Sequence, residues 1–179
     1  MKNVVIFGCG KVAEIIYSYL RDSDTHQVVA FTVNQQYLTQ TEKFGLPVVC
    51  FENLAALYPA HQYQLFIAIG YHQLNRARAA IYTAAKEKGY QFISYIDPRA
   101  TVASNAAIGE NCLILDNVSV NPYARIGDDV FIYSGAVVSH HSVINDHCWL
   151  TSGSVIGGNT TVGSYSFIGI NASIGHNIE

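Results

Sequence analysis

The sequence predicts a small α/β sheet followed by a parallel β-helix. Two observations carry this. From Val102 onward every sixth residue is aliphatic: Val102, Ile108, Ile114, Val120, Ile126, Ile132, Val138, Ile144, Leu150, Ile156, Val162, Ile168 and Ile174. Ahead of that run, apolar stretches alternate with amphipathic ones, and the first two are joined by Gly8-Cys9-Gly10. A period of six fits neither the 3.6 of a helix nor the 2 of an ordinary strand, whereas a fixed hexapeptide repeat reads as a parallel β-helix.

Each hexad has an inner pattern. A slim residue stands two positions before the aliphatic, as at Ala100, Ala106, Cys112, Ala124, Ser142, Cys148 and Ser154. Strand residues two apart face the same way, so both point into the prism. Gly follows the aliphatic at positions 109, 127, 157, 163, 169 and 175. We expect these glycines at corners, in a backbone conformation that a Cβ would oppose. Phe131, Trp149 and Phe167 each precede an inward aliphatic and therefore point out. Large outward aromatics call for a covering surface, here a second copy of the chain.

The N-terminal part reads in order as a strand at 4–7, the Gly turn, and a helix to about residue 20. The glycines permit a tight turn and close approach of a phosphate, and the helix N-terminus offers free N–H groups. A strand at 28–33 runs into Asn34-Gln35-Gln36, with no Asp or Glu to hold a ribose, which argues against NAD. Further strands are expected at 47–50, 64–69 and 92–96, with helices at 53–57 and from the mid-seventies to about 88. Alternating strands and helices predict a parallel sheet, whose ligands sit at the carboxyl ends of the strands. That selects Gly8, Cys9, Gly10, Lys11, Thr32, Asn34, Gly70, Tyr71 and Asn75 as one substrate-binding rim. The hexads begin directly after Asp97-Pro98, so the expected domains are 1–97 and 98–179, without a flexible linker.

Composition narrows the class. The chain has 179 residues, half of them apolar, and a net charge of -3, which does not suggest a nucleic-acid surface. The opening apolar run is too short for a signal peptide or a membrane span. Cys9, Cys50, Cys112 and Cys148 show no close pairing and read as reduced thiols of a cytoplasmic protein.

Several stretches together resemble one family: Gly8-Cys9-Gly10, Ile67-Ala68-Ile69-Gly70, Gly89-Tyr90, Ile96-Asp97-Pro98-Arg99-Ala100 and His140-His141-Ser142-Val143-Ile144. They are similar to the bacterial sugar O- and N-acetyltransferases of the sialic acid O-acetyltransferase type. The form Gly70-Tyr71 with Asn75, beside a His-His pair, resembles modifiers of O-antigen, lipopolysaccharide and capsule sugars. The resemblance implies a left-handed β-helix with three hexads per coil, a homotrimer, and acetyl-CoA as co-substrate in the groove between coils. It implies a Rossmann-like α/β domain that binds the nucleotide-sugar substrate, and coenzyme contacts at Trp149, Gly157, Gly158, Ile170 and Asn171. The chain departs from the family pattern in three ways. His141 stands where an Asp or Glu usually follows the catalytic His, Trp149 stands where a second His is common, and family members usually run on through further coils.

Three residues after an aliphatic lies a corner, which places His140 and His141 at one corner and His147 at the next. Acyl transfer from a thioester needs a base for the nucleophile's proton and a donor for the developing oxyanion. Imidazole suits the first role near neutral pH. The expected arrangement has His140 as base, His141 orienting it or acting itself, and Asp146 as the nearest acid. Two other readings are a zinc site, with His147 as an extra ligand among the three required, and a non-catalytic sugar-nucleotide-binding or scaffold protein.

Overall fold

The structure is a computed structural model and describes residues 2–22 and 24–179. It contains two compact units: Met1–Gly70 with Ala80–Ile93, and Tyr71–Ala79 with Ser94–Glu179.

In the first unit the strands are β1 (Lys2–Phe7), β2 (His26–Val33), β3 (Glu42–Lys43), β4 (Leu46–Cys50) and β5 (Gln64–Ile67). They stand in the order β3-β4-β2-β1-β5, all parallel except the antiparallel β3–β4 edge. Val4, Val5 and Ile6 are fully buried because β1 is central. Helix α1 (Lys11–Leu20) packs Ala13, Ile16 and Leu20 inward, and α2 (Leu54–Leu57) is a single turn. Helix α3 (Arg76–Glu87) begins in the second unit and ends in the first. Phe92 makes only an isolated parallel bridge to Leu65. The strand expected over 92–96 is therefore split, and Tyr95–Ile96 pairs with Leu113–Ile114 as part of the repeat.

In the second unit each hexad gives one two-residue strand, and strands 18 residues apart pair in parallel register. Three sheets result. One stacks Thr101–Val102, Ser119–Val120, Val137–Val138, Val155–Ile156 and Ser173–Ile174; a second starts at Ala107–Ile108 and a third at Tyr95–Ile96. Parallel strands stacked in this way fit a left-handed β-helix. Its core contains Ile114, Val120, Ile126, Ile132, Val138, Ile144, Leu150, Ile156 and Val162, with Cys112, Val118, Ala124, Val130, Ala136 and Cys148 between them. At roughly 25 cal/mol per Å² of apolar surface, an axial column of this kind is the main source of the coil's stability.

The glycines serve a different purpose from the one expected. None of those following an aliphatic has positive φ among the described residues. The left-handed position falls two residues later, on Asn111, Asn117, Tyr123, Asp129, His141, His147, Asn159, Tyr165, Asn171 and Asn177. Asn and Asp tolerate it because their short polar side chains bond locally. At Gly109, Gly127 and Gly157 the requirement is close approach: a Cβ on Gly109 would stand 2.6 Å from the Gly127 carbonyl oxygen. Their carbonyls turn inward and meet the slim side chain of an earlier hexad. Ser142 Oγ donates to Gly157 O at 2.8 Å, Thr160 Oγ1 to Gly175 O at 2.8 Å, and Cys148 Sγ to Gly163 O at 3.2 Å. The slim residue and the glycine are thus one device, a buried donor for a buried carbonyl.

Candidate active site

His140 and His141 stand exposed at one corner of the coils. Their Nδ1 atoms are 3.2 Å apart, so one ring donates and the other accepts. His141 lies in the left-handed region at φ 59° and stacks on Tyr123, one coil earlier, with ring centroids 4.7 Å apart. Its N–H donates to Pro122 O at 3.2 Å, so backbone and ring are both held. His140 reaches over the next coil. A Cβ on Gly158 would meet its Cε1 at 2.7 Å and its Nε2 at 2.8 Å, so the ring occupies the space that glycine leaves open. The Gly158 N–H donates to Nδ1 of His176, one coil further on, at 2.8 Å.

Asp146 is not brought to this pair. Its Oδ1 accepts the Asp128 N–H at 2.8 Å, one coil earlier, and serves the backbone there. His147 faces a different corner, with Asp129 on one side and Tyr165 on the other. Among the described residues no three His, Cys, Asp or Glu side chains stand together to hold a metal.

Comparison with known proteins gives the context. A family model described as the GMPPB C-terminal domain matches residues 94–179. No curated protein matches. Among solved structures, a mutant of perosamine N-acetyltransferase from Caulobacter crescentus, in complex with CoA and GDP-perosamine, is 29% identical with a TM-score of 0.87, covering 99% of this chain and 81% of that one. PerB from the same organism, also in complex with CoA and GDP-perosamine, is 25% identical with a TM-score of 0.73, covering 97% and 89%. The chain is similar to hexapeptide-repeat sugar acetyltransferases. The acetyltransferase domain of PglB from Neisseria gonorrhoeae, 20% identical with a TM-score of 0.74 over 98% and 85%, shares the fold.

The residues expected to contact the coenzyme are placed unequally. Ile170 is 74% exposed, and Asn171 is also exposed, in the left-handed corner position. Gly158 lies under the His140 ring, whereas Gly157 packs against Gly175 and accepts Ser142 Oγ. Trp149 is only 4% exposed and Phe131 is fully buried, which corrects the expectation that both need a second copy to cover them. The cover is the chain's own Tyr71–Ala79 segment. Tyr71 meets Trp149 edge-on at 5.4 Å and Phe167 at 4.7 Å, although Phe167 stays 38% exposed. Arg78 is fully buried, its guanidinium 4.4 Å from the Phe131 ring centre and 5.3 Å from that of Trp149. Arg78 Nε donates to Asp129 Oδ1 at 2.8 Å, and Nη2 donates to Asp129 O at 2.9 Å. Asp129 also accepts from Asn111 Nδ2 at 2.7 Å, and its Oδ2 lies 2.9 Å from His147 Nδ1. A buried charge pair stands only when its remaining sites are bonded in this way.

Asn75 belongs to the same lock and is itself fully buried. Its Nδ2 donates to Tyr165 O and Ser166 O at 3.3 and 3.2 Å, and its Oδ1 accepts Arg78 Nη1 at 3.1 Å. Gln73, Leu74 and Asn75 are left-handed in succession, at φ 53°, 51° and 64°. Each such residue costs roughly 1–2 kcal/mol, and the Asn75 and Arg78 bonds offset this. The side chain of Asn75 is thus committed to holding the turn, whereas Tyr71 in the same segment is exposed.

At the sheet, Gly8 has φ 121° and a Cβ there would stand 2.8 Å from Ala68 O, whereas Gly10 has open space above it. No side chain caps Gly10 among the described residues, so the first N–H groups of α1 keep no side-chain partner at the cap. Thr32 is buried with Oγ1 donating to Val49 O at 3.0 Å, so it supports the sheet. Cys9 is half-buried, and burial pushes its thiol pKa up. Lys11 is exposed, Asn34 half-buried, and Gly70 closes its part of the first unit.

One residue at this rim was missed from the sequence. Glu52, just beyond β4, accepts Asn34 Nδ2 at 3.3 Å, the Gln35 N–H at 3.1 Å and Cys50 Sγ–H at 2.8 Å. An acid does stand beside the end of β2, so the argument against NAD from its absence does not hold. The signal lay in pairing: in a parallel sheet a neighbouring strand can supply the group that the strand itself lacks.

Proposed function

We propose that the chain transfers an acetyl group from acetyl-CoA to the amino group of a nucleotide-linked sugar, as a step in surface-glycan synthesis. The observation that carries this is His140, held by His141 over the open Gly158 column in a chain alike over nearly its full length to CoA- and GDP-perosamine-bound structures. The α/β unit is read as Rossmann-like and as the nucleotide-sugar holder, with its Gly turn and α1 N-terminus facing the diphosphate.

His140 is the base. Of the two ways to share the hydrogen between the Nδ1 atoms, the one with His140 Nδ1–H donating to His141 leaves His140 Nε2 free to accept a proton. His141, fixed by its stack on Tyr123, then sets the tautomer of its neighbour, the part an acid plays in relatives. The amine nitrogen attacks the thioester carbon as His140 takes its proton. The new C–N bond forms, the C–S bond breaks, and CoA leaves as the thiolate, which is then protonated. General-base help is worth ~10²–10⁴-fold. His140→Ala should lose that much turnover with substrate affinities little changed. If His140→Ala keeps turnover and His141→Ala loses it, the base is His141; if both keep it, histidine catalysis at this corner is wrong.

The co-substrate is expected along the coils near Gly157, Gly158, Ile170 and Asn171. The assembly proposed is a homotrimer, which would cover exposed apolar groups on the coils such as Tyr123, Val155 and Ile170. Among the described residues no helix is long and apolar enough to cross a membrane.

A further inference from the structure

A second histidine shares the corner column of His140. The column runs His140, Gly158, His176, each one coil beyond the last and each two residues after an inward aliphatic. Gly158 is not a glycine for its backbone, since it has no positive φ. It is a glycine for space. A Cβ there would meet His140 Nε2 at 2.8 Å. From the next coil, His176 Nδ1 accepts the Gly158 N–H at 2.8 Å. His140 Nε2 and His176 Nδ1 are therefore no more than about 8 Å apart. The backbone of His176 is held as well. The Asn177 N–H donates to Gly158 O at 3.0 Å, and a Cβ on Gly157 would stand 2.7 Å from His176 N.

The Gly158 bond fixes the tautomer of His176. A backbone N–H can only donate, so Nδ1 carries the lone pair and the neutral ring carries its hydrogen on Nε2. The residue is exposed, so this N–H has no need of the coil. His140, in the tautomer described above, offers the opposite group, a lone pair on Nε2. The one column thus presents an acceptor and a donor. The Gly158 N–H between them is committed to His176.

We propose that His176 is a catalytic residue whose Nε2–H is the oxyanion donor of the transfer. The proposal rests on the acetyl-transfer reading above and names the group that receives the charge. As the amine nitrogen adds to the thioester carbon, the carbonyl π pair moves onto oxygen. That oxygen accepts the His176 Nε2–H bond, and the proton stays on His176. The pair then re-forms the carbonyl as the C–S bond breaks, and the proton held by His140 passes to the thiolate. A nitrogen, carbon and oxygen with a hydrogen bond at each end span up to about 8 Å, which matches the separation of the two rings.

Turnover, CoA affinity and melting temperature of His176→Ala, His176→Asn and His176→Gln test this. His176→Asn keeps an acceptor for the Gly158 N–H but places no donor where Nε2–H was. His176→Gln reaches that point with an amide N–H. Loss of an oxyanion donor costs ~10²–10³-fold in kcat. His176→Ala and His176→Asn should both lose turnover on that scale, with CoA affinity and melting temperature little changed. His176→Gln should stay within about tenfold of the parent. The donor role is overturned if His176→Ala or His176→Asn keeps turnover within threefold, if His176→Gln falls as far as His176→Ala, or if the loss lies in CoA affinity. Each of these leaves the acetyl-transfer reading intact. A parent that releases no CoA with any nucleotide-linked amino sugar overturns both.

Discussion

His141 combines two demands that one residue seldom meets. The corner requires a left-handed backbone, which Asn or Asp accepts at other turns of the coil, and the site requires a group to orient His140. An imidazole does both here because Tyr123 supports its face. Asp suits the same backbone, so His141→Asp should fold as the parent does. Its carboxylate would stabilise imidazolium at His140, and the acid limb of the pH–rate profile should move to higher pH. An unchanged profile would mean that His141 does not act through His140. Asp97 gives a second test at this scale. Its carboxyl is held below the usual range first by the Arg99 guanidinium, aided by the Arg99 N–H. A depressed folded pKa contributes stability that is present above the unfolded value and lost as pH falls through the folded one. Acid unfolding below about pH 4 should therefore be shallower in Asp97→Asn than in the parent; identical acid limbs would remove Asp97 from that balance.

At the scale of the element, the hexad was legible and its corner was not. Thirteen aliphatics at fixed spacing leave no other regular structure, and Cys112, Ser142 and Cys148 were readable as inward from their place two residues earlier. The left-handed corner went unread because no single residue type marks it: Asn, Asp, Tyr, His and, at 135 and 153, Gly all occupy it, while Gly109, Gly127 and Gly157 answer a packing need nearby. Segment 71–79 was unreadable for a related reason. Arg78 opens an amphipathic helix, where Arg normally faces water, and only the structure shows it buried between Phe131 and Trp149. Glu52 escaped because it belongs to one strand and serves the end of another. The inward slim column offers a paired test. Ser142 Oγ has its glycine carbonyl, whereas Ser154 Oγ is buried with no partner among the described residues. Ser142→Ala should cost about 1 kcal/mol, and Ser154→Ala should be neutral or stabilising. Denaturant melts that show equal losses would refute the shared donor role.

At the scale of the whole molecule, the two units divide the work proposed for them: one presents phosphate-facing groups, the other an imidazole pair on a rigid coil. The trimer proposed above is argued from surface. With Phe131 and Trp149 covered within the chain, the exposed apolar groups left on the coils include Tyr123, Val155, Phe167 and Ile170. Multi-angle light scattering at micromolar concentration should give three times the chain mass, and a monomer there would end that proposal. The measurement that bears most directly on the central claim is CoA release from acetyl-CoA by the pure protein, with and without nucleotide-linked amino sugars. The account predicts release only when such a sugar is present, one acetylated sugar per CoA, and a fall of ~10²–10⁴-fold in His140→Ala. Release that never rises above the sugar-free background with any nucleotide-linked sugar, or that is as fast in His140→Ala as in the parent, would contradict it.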